Sequence, residues 1–469
     1  MSVEQLLGVC VFACMSYLGL LYLAYTAQLV VAWFESRRLR TERDMDHASA
    51  VPGSRFCPPV SVIVPAFNEA GGLADAVESL LELDYPSFEV VVVDDGSTDG
   101  TCERITEALE LVPADALSRN VVSSMPVRGV YRSRRDPRLL VISKENGGKA
   151  DSLNAGLNYC RYGLVCGVDA DMVFTRDALT TAVRPFMADP ARVVGLTSAL
   201  ETAAHPYVAL QEGVRYRLPE TSPLILFQTL DYLRAFYNNR IAWARLGYML
   251  CAAGAFQVWR RDLLEELGGW SPDFSCEDIE LTFRVHKTLR ELGRPYRVVC
   301  LPDPVGVTEG PNTLRKLVAQ RERWQRVILE TWWANRGMLL NRRYGAVGLF
   351  GMPFYLLSEV IAPVFELLAL GTLVAAAAFG VMDWWLFALV GLLVSLLNGA
   401  LSVAALLMHE HQTRAYGARG LLALMAVMPL ELVAYRPFMS WARVKGTWRF
   451  LRGDKGWHKF ERNLRTEAA

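Results

Sequence analysis

The sequence predicts an α/β domain built on a parallel sheet and inserted between membrane-spanning helices. Three observations predict it. The chain opens on an apolar run from Leu6 to Phe34 and carries further apolar runs from Gly345 onward. Between them, over residues 51–340, short β-branched runs alternate with helical stretches. With 469 residues, 52% of them hydrophobic and 21% charged, two or more folding units are expected.

The first element, Leu6 to Phe34, exceeds the roughly 20 residues needed to cross a bilayer. It is followed by Glu35-Ser36-Arg37-Arg38-Leu39-Arg40-Thr41-Glu42-Arg43. A signal peptide carries its basic cluster before the apolar run, so residues 1–35 read as a retained anchor, with the following chain in the cytosol. In the middle region Val60–Pro65 and Glu89–Val93 read as buried strands, with a helix over Gly71–Leu83 between them. Strand, helix, strand in that order implies a parallel sheet.

Beyond the soluble domain, Pro363–Gly380, Trp384–Met408 and Leu421–Trp441 read as spans within residues 363–441. The last carries Pro429, Glu431, Arg436 and Pro437, and reads equally as a re-entrant or interfacial segment. Residues 341–362, with Pro353 and Glu359, are expected on the membrane surface. Residues 442–469 are expected to form a basic tail. Three crossings would place that tail outside, whereas its arginines and lysines call for the inside. The sequence leaves this conflict open.

Composition narrows the partners. Lysine plus arginine and aspartate plus glutamate number 49 each, so net charge predicts no nucleic-acid partner. The nine cysteines form no C-x-x-C pair and no metal spacing, which excludes a disulfide framework and a zinc site. Most read as small buried residues in a reducing cytosol.

Five motifs carry candidate chemistry. Val91-Val92-Val93 runs into Asp94-Asp95-Gly96-Ser97, presenting carboxylates at the end of a parallel strand, where open sheets bind ligands. The plainer reading is a turn with an Asp helix cap. Asp169-Ala170-Asp171 follows the apolar run Leu164–Val168, and two such carboxylates can share a hard divalent cation with phosphate oxygens. Alone, D-x-D is more often a solvated loop. Before it, Asn146-Gly147-Gly148-Lys149 joins glycines that permit close backbone approach to a lysine charge suited to phosphate. Glu277-Asp278 opens a helical pattern; a carboxylate there is stabilised by the helix dipole, or removes a proton from an attacking hydroxyl. Last, Gln320, Arg323 and Trp324 share one helical face just before the membrane region.

Together and in this order these motifs resemble the processive family 2 glycosyltransferases, which make cellulose, chitin, hyaluronan and poly-N-acetylglucosamine. The stretch Glu145 to Asn154 is most similar to the poly-N-acetylglucosamine and chitin-oligosaccharide branch. The resemblance implies a GT-A fold with a Rossmann-like mixed, mostly parallel sheet, a UDP-sugar donor, Mg²⁺ or Mn²⁺, and inversion at the anomeric carbon. It further implies a growing polysaccharide (an exopolysaccharide) as acceptor, contact with membrane lipid, and export through the enzyme's own helices. The expected location is the inner cell membrane, multi-pass, with the catalytic domain cytosolic. A separate small subunit would supply regulation or export.

Residue by residue, the resemblance implies that Asp95 holds the uridine and that Asp169 and Asp171 meet the donor diphosphate; Asp94 and Lys149 are read beside them as nucleotide-sugar contacts. It makes Asp169 and Asp171 the metal ligands, Asp278 the base beside Glu277, and Gln320, Arg323 and Trp324 the lining of the donor and acceptor sites. Cys251–Phe256 falls where the acceptor's terminal sugar is expected. Two alternatives stand beside this reading: single transfer to a lipid or short acceptor, and a non-catalytic nucleotide-binding membrane scaffold.

Overall fold

The computed structural model describes residues 3–48, 57–203, 222–414 and 416–454. Residues 51–56 of the expected soluble domain and 455–469 of the expected basic tail lie outside the described residues. The chain divides into two units. One comprises Ser36–Arg215, Met249–Glu309 and Lys459–Ala469, the other Met1–Glu35, Tyr216–Tyr248 and Gly310–His458.

The first unit is built on twelve strands among the described residues: β1 (Val60–Ala66), β2 (Phe88–Asp94), β3 (Leu111–Pro113), β4 (Val127–Ser133), β5 (Leu139–Lys144), β6 (Leu164–Val168), β7 (Met172–Phe174), β8 (Val193–Ser198), β9 (Glu201–Ala203), β10 (Phe256–Arg260), β11 (Arg297–Leu301) and β12 (Gly306–Glu309). Nine form one sheet in the order β11-β8-β10-β6-β1-β2-β5-β4-β3, and β7-β12-β9 form a small second one. The centre β6-β1-β2-β5 is parallel, while β10 and β4 run antiparallel to their neighbours. This is the GT-A arrangement, mixed and mostly parallel.

The parallel centre follows from sequence. β2 reads Phe-Glu-Val-Val-Val-Val-Asp and is buried throughout, as expected for a strand covered on both faces. Between β1 and β2, helix α2 (Leu73–Leu81) buries Leu73, Ala76, Val77 and Leu80, the one-face spacing of an amphipathic helix. Further helices α3 (Thr101–Ala108), α4 (Lys149–Tyr159) and α5 (Ala178–Ala188) follow β2, β5 and β7. Because β1, β2, β5 and β6 are parallel, the Asp94-Asp95 turn, the Glu145–Gly148 turn and the Asp169-Ala170-Asp171 turn all leave the sheet at one edge.

Beneath these turns lies a buried cation. Lys144, the last residue of β5, has a side chain with no exposed surface. Its ammonium pairs with Asp95, pairs with Asp151 at 2.6 Å, and donates to the Glu145 carbonyl at 2.8 Å. Asp95 also accepts from the Gly147 and Gly148 amides at 3.0 and 2.8 Å and from the Asn146 side chain at 3.1 Å. Asp151 accepts from the Met125 amide. Every ammonium proton thus meets an oxygen, which is the condition for a lysine to stay charged inside a protein.

Helix α6 (Glu277–Glu291) is anchored by His286. Its Nε2–H donates to the Met249 carbonyl at 2.7 Å, so Nδ1 accepts the Tyr296 hydroxyl proton at 2.6 Å. Burial pushes its pKa down to about 4.

In the second unit four helices are long and apolar enough to cross a membrane: Gln5–Met45 within α1 (Val3–Ala48), Val347–Ala378, Phe387–Thr413 and Ala418–Leu451. The second is one helix with π-helical turns at Val347–Gly351 and Leu356–Ile361, so the expected surface segment runs on into the first expected span. Charged residues in these helices meet partners: Arg436 with Glu366 at 3.0 Å, and Arg234, from the helical stretch beside them, with Glu431 at 2.6 Å. Arg234, Glu366 and Arg436 border a cavity of about 110 Å³ lined also by Tyr22, Tyr25, Asn238 and Asn398. Intramembrane charges persist only when paired in this way.

Two expectations follow. Replacing Lys144 by Met strands Asp95 and Asp151 without their cation and should destabilise the unit by about 3–5 kcal/mol, read from chemical denaturation; a loss below ~1 kcal/mol would deny the ammonium this role. For His286, the folded state binds fewer protons than the unfolded chain between about pH 6.5 and 4. Its stabilisation is therefore complete above 6.5 and declines by about 3 kcal/mol as pH falls to 4. Thermal melts of His286→Gln across that range should lose this part of the slope.

Candidate active site

The site lies at the carboxyl edge of the parallel strands. The DAD turn is made between β6 and β7, closed by a hydrogen bond from the Met172 amide to the Asp169 carbonyl at 3.3 Å. Asp171 is buried and Asp169 is half-exposed. From the first turn of α4, Lys149 reaches across to Asp169 and Glu277, 2.7 Å from each. The ammonium therefore joins the DAD turn to the start of α6. Its pKa stands well above the usual lysine value: burial opposes the charge, but the carboxylates of Asp169, Glu277 and Asp278 outweigh it. Burial pushes the Glu277 carboxyl upward, against the pull of Lys149.

Asp278 follows Glu277 and is half-buried. One carboxylate oxygen accepts the Gly254 amide at 2.7 Å; the other accepts the Ile279 amide and the Cys276 thiol, each at 2.7 Å. Burial and the neighbouring carboxylates hold the Cys276 thiol well above its ordinary pKa, so sulfur remains a donor. Gly254 is required here, since a Cβ on it would stand 2.7 Å from an Asp278 oxygen. Segment 251–256 is tied down by the Ala252 and Ala253 amides, which donate to Thr282 and Thr197 at 3.2 Å. Asp278 is thus fixed in direction and still has lone pairs to accept a proton.

Of the residues expected from sequence, the structure brings together Lys149, Asp169, Glu277 and Asp278, with Asp171 on the same turn as Asp169. Asp94 and Asp95 end β2 in the same sheet. Asp94 accepts the Ser97 amide at 3.3 Å, while Asp95 is occupied by Lys144 and the glycine turn. The Gly147 and Gly148 amides, in the glycine turn read as permitting close backbone approach, both donate to Asp95. Gln320, Arg323 and Trp324 lie in the other unit, on helix α7 (Leu314–Ala334), where Trp324 stacks under the Arg321 guanidinium at 4.3 Å.

Sequence reasoning missed Lys144, Gly254 and Cys276 as parts of this machinery. Lys144 had a signal, a lysine ending the apolar strand Leu139–Lys144 directly before the glycine turn. Gly254 had none, because its contact is with Asp278, distant in sequence, and Cys276 acts two residues before Asp278 through a thiol that no motif marks.

A divalent cation fits the donor set. Asp169 and Asp171 offer only hard carboxylate oxygens, and the chain already places a cation of its own, the Lys149 ammonium, against Asp169. Among the described residues no group of three His, Cys, Asp or Glu side chains could hold a metal ion. The remaining ligands would come from diphosphate and water, as Mg²⁺ and Mn²⁺ commonly require.

Residues 61–267 match the profile of glycosyl transferase family 2. The chain is 23% identical over 279 residues to a poly-beta-1,6-N-acetyl-D-glucosamine synthase of Staphylococcus epidermidis, covering 59% of this chain and 57% of that one. It is 26% identical over 309 residues to a beta-monoglucosyldiacylglycerol synthase of Nostoc sp., covering 65% and 56%. The chain thus spans a little over half the length of the curated relatives it matches. Among solved structures, a mannosyltransferase from Pyrobaculum calidifontis in complex with GDP-Man and Mn²⁺ superposes with a TM-score of 0.57 at 20% identity, over 96% of this chain and 100% of that one. That likeness is one of fold. The strand-end carboxylates Asp94, Asp95, Asp169 and Asp171 therefore lie in the stretch that matches glycosyl transferase family 2, and the second unit has helices long and apolar enough to cross a membrane.

Proposed function

We propose that this enzyme transfers a sugar, N-acetylglucosamine in the favoured reading, from a UDP-sugar to the end of a growing polysaccharide at the cytosolic face of the inner membrane. What carries the reading is the juxtaposition of Asp169, Lys149, Glu277 and a directionally held Asp278 at one sheet edge. The identity to poly-N-acetylglucosamine synthases supports the sugar and the polymer.

In this reading the nucleoside lies over the Asp94-Asp95 strand end and the diphosphate beside Asp169, Asp171 and Lys149. Bound there, Mg²⁺ or Mn²⁺ offsets the charge that builds on the departing diphosphate. Asp278 takes the acceptor hydroxyl proton as that oxygen attacks the anomeric carbon. The bond from that carbon to phosphate breaks on the opposite side, and UDP leaves with its electron pair. Attack opposite the leaving group turns an α-linked donor into a β-linked product. Glu277 and Lys149 keep the base helix and the diphosphate end in register. Gln320, Arg323 and Trp324 offer an amide, a guanidinium and an aromatic face to the acceptor side.

A second reading, single transfer to a lipid acceptor, is favoured by the similarity to the monoglucosyldiacylglycerol synthase.

The deciding assay is nucleotide release by full-length protein in detergent against a panel of UDP-sugars and GDP-mannose, with Mn²⁺, Mg²⁺ or chelator, followed by product sizing. The expected result is metal-dependent UDP release with UDP-N-acetylglucosamine and a long polymer; one sugar on lipid would establish the second reading instead. Asp278→Asn should lower turnover by about 10²–10⁴-fold or more with UDP affinity retained. Normal turnover in that variant would remove Asp278 as the base.

A further inference from the structure

Helix α7 (Leu314–Ala334) presents two opposite faces. At ~100° per residue, Gln320, Arg323 and Trp324 point one way, and Glu322, Gln325, Arg326 and Leu329 point about half a turn round. The second face is buried. What covers it is the C-terminal half of the last long helix, α10 (Ala418–Leu451), following α8 (Val347–Ala378) and α9 (Trp384–Thr413). Glu322 is gripped by Lys445 at 2.7 Å and by Arg449. Gln325 accepts from Arg443 at 2.9 Å and donates to the Glu359 carbonyl at 2.9 Å, while Arg443 also pairs with Glu359 at 2.6 Å. Arg326 donates to the Asp454 carbonyl at 3.0 Å, and Asp454 pairs with Arg449 at 2.6 Å. At the crossing stands Gly446, where a Cβ would lie 2.4 Å from the Glu322 carbonyl oxygen and 2.9 Å from the Gln325 Cβ.

We propose that the C-terminal half of α10 is a brace for α7, in which Glu322 keyed by Lys445 and Arg449, and Gly446 at the crossing, position the face carrying Gln320, Arg323 and Trp324. The inference rests on the reading that this face lines the acceptor side. Two features favour a positioning role over mere packing. The contact sets α7 both along its axis, through Glu322, and in rotation, through Gln325 and Arg326. It uses charges partly exposed on the α10 side, which a purely apolar seam would not need. The brace also resolves the topology. Trp33, near the basic end of α1, stacks on His411 at the end of α9, so those two ends share a side. The charged end of α10 meets α7 directly. The four helices thus do not all cross outright: α10 ends on the side where α7 lies, as its arginines and lysines require.

The test uses full-length protein in membranes. Glu322→Lys sets like charges against Lys445 and Arg449 and should lower sugar transfer by about tenfold or more, with donor KM within about twofold. Adding Lys445→Glu and Arg449→Glu should return most of the loss, which a merely misfolded variant would not do. Gly446→Leu should lose transfer without such rescue. Single cysteines at Arg315 and Arg452, in a background with reactive thiols removed, should be labelled by an impermeant maleimide from the same side. Labelling from opposite sides, or full transfer by Glu322→Lys, overturns the brace. If instead alanine at Gln320, Arg323 and Trp324 leaves transfer intact, the reading of α7 as acceptor lining fails, and the labelling still decides the brace.

Discussion

The site depends on the buried ammonium of Lys144. A lysine without exposed surface is tolerable only when its protons are all taken, and here they are taken by Asp95, Asp151 and the Glu145 carbonyl. Those partners belong to the loop after β2, the start of α4 and the turn between β5 and α4. One charge thus ties together three segments that otherwise leave the sheet as independent loops. Asp95 extends the tie by accepting the amides of the glycine turn, which sets the first residue of α4. That residue is Lys149.

From there the electrostatics proceed outward. Lys149 is a mobile cation on a stem whose base is fixed, and it spans Asp169 and Glu277. Two lysines five residues apart therefore do different work: the inner one organises the loops, and the outer one balances the carboxylates of Asp169 and Glu277. Asp278 is kept apart from this balance by its own donors, the Gly254 and Ile279 amides and the Cys276 thiol. A carboxylate held from three directions can be aimed, which an ion pair with a flexible lysine would not achieve.

The membrane unit solves a different problem with the same means. Its charged side chains cannot be left bare in a low dielectric, and Glu431, Glu366, Glu322 and Glu359 each meet an arginine or lysine. These pairs connect helices distant in the chain, so they also fix which helices are neighbours. The union of α7 with the last helix is the densest case, where a glycine lets the backbones approach and ion pairs set the register.

Much was legible in the sequence because its signals are local. Apolar length gave away the long helices, β-branched runs the strands, and carboxylates following strands the edge at which donor chemistry belongs. The GT-A class, and the expectation that Asp169 and Asp278 serve one site, came from the family resemblance that the motifs carry. Tertiary structure alone decided what each polar group is spent on. The amides of the glycine turn serve Asp95, the lysine that looks like a strand terminus is the central cation, and the expected surface segment before the first C-terminal span is continuous with it. The physical reason is that a strand or helix is specified by neighbours in sequence, whereas a buried charge is specified by whichever opposite charge the fold carries to it.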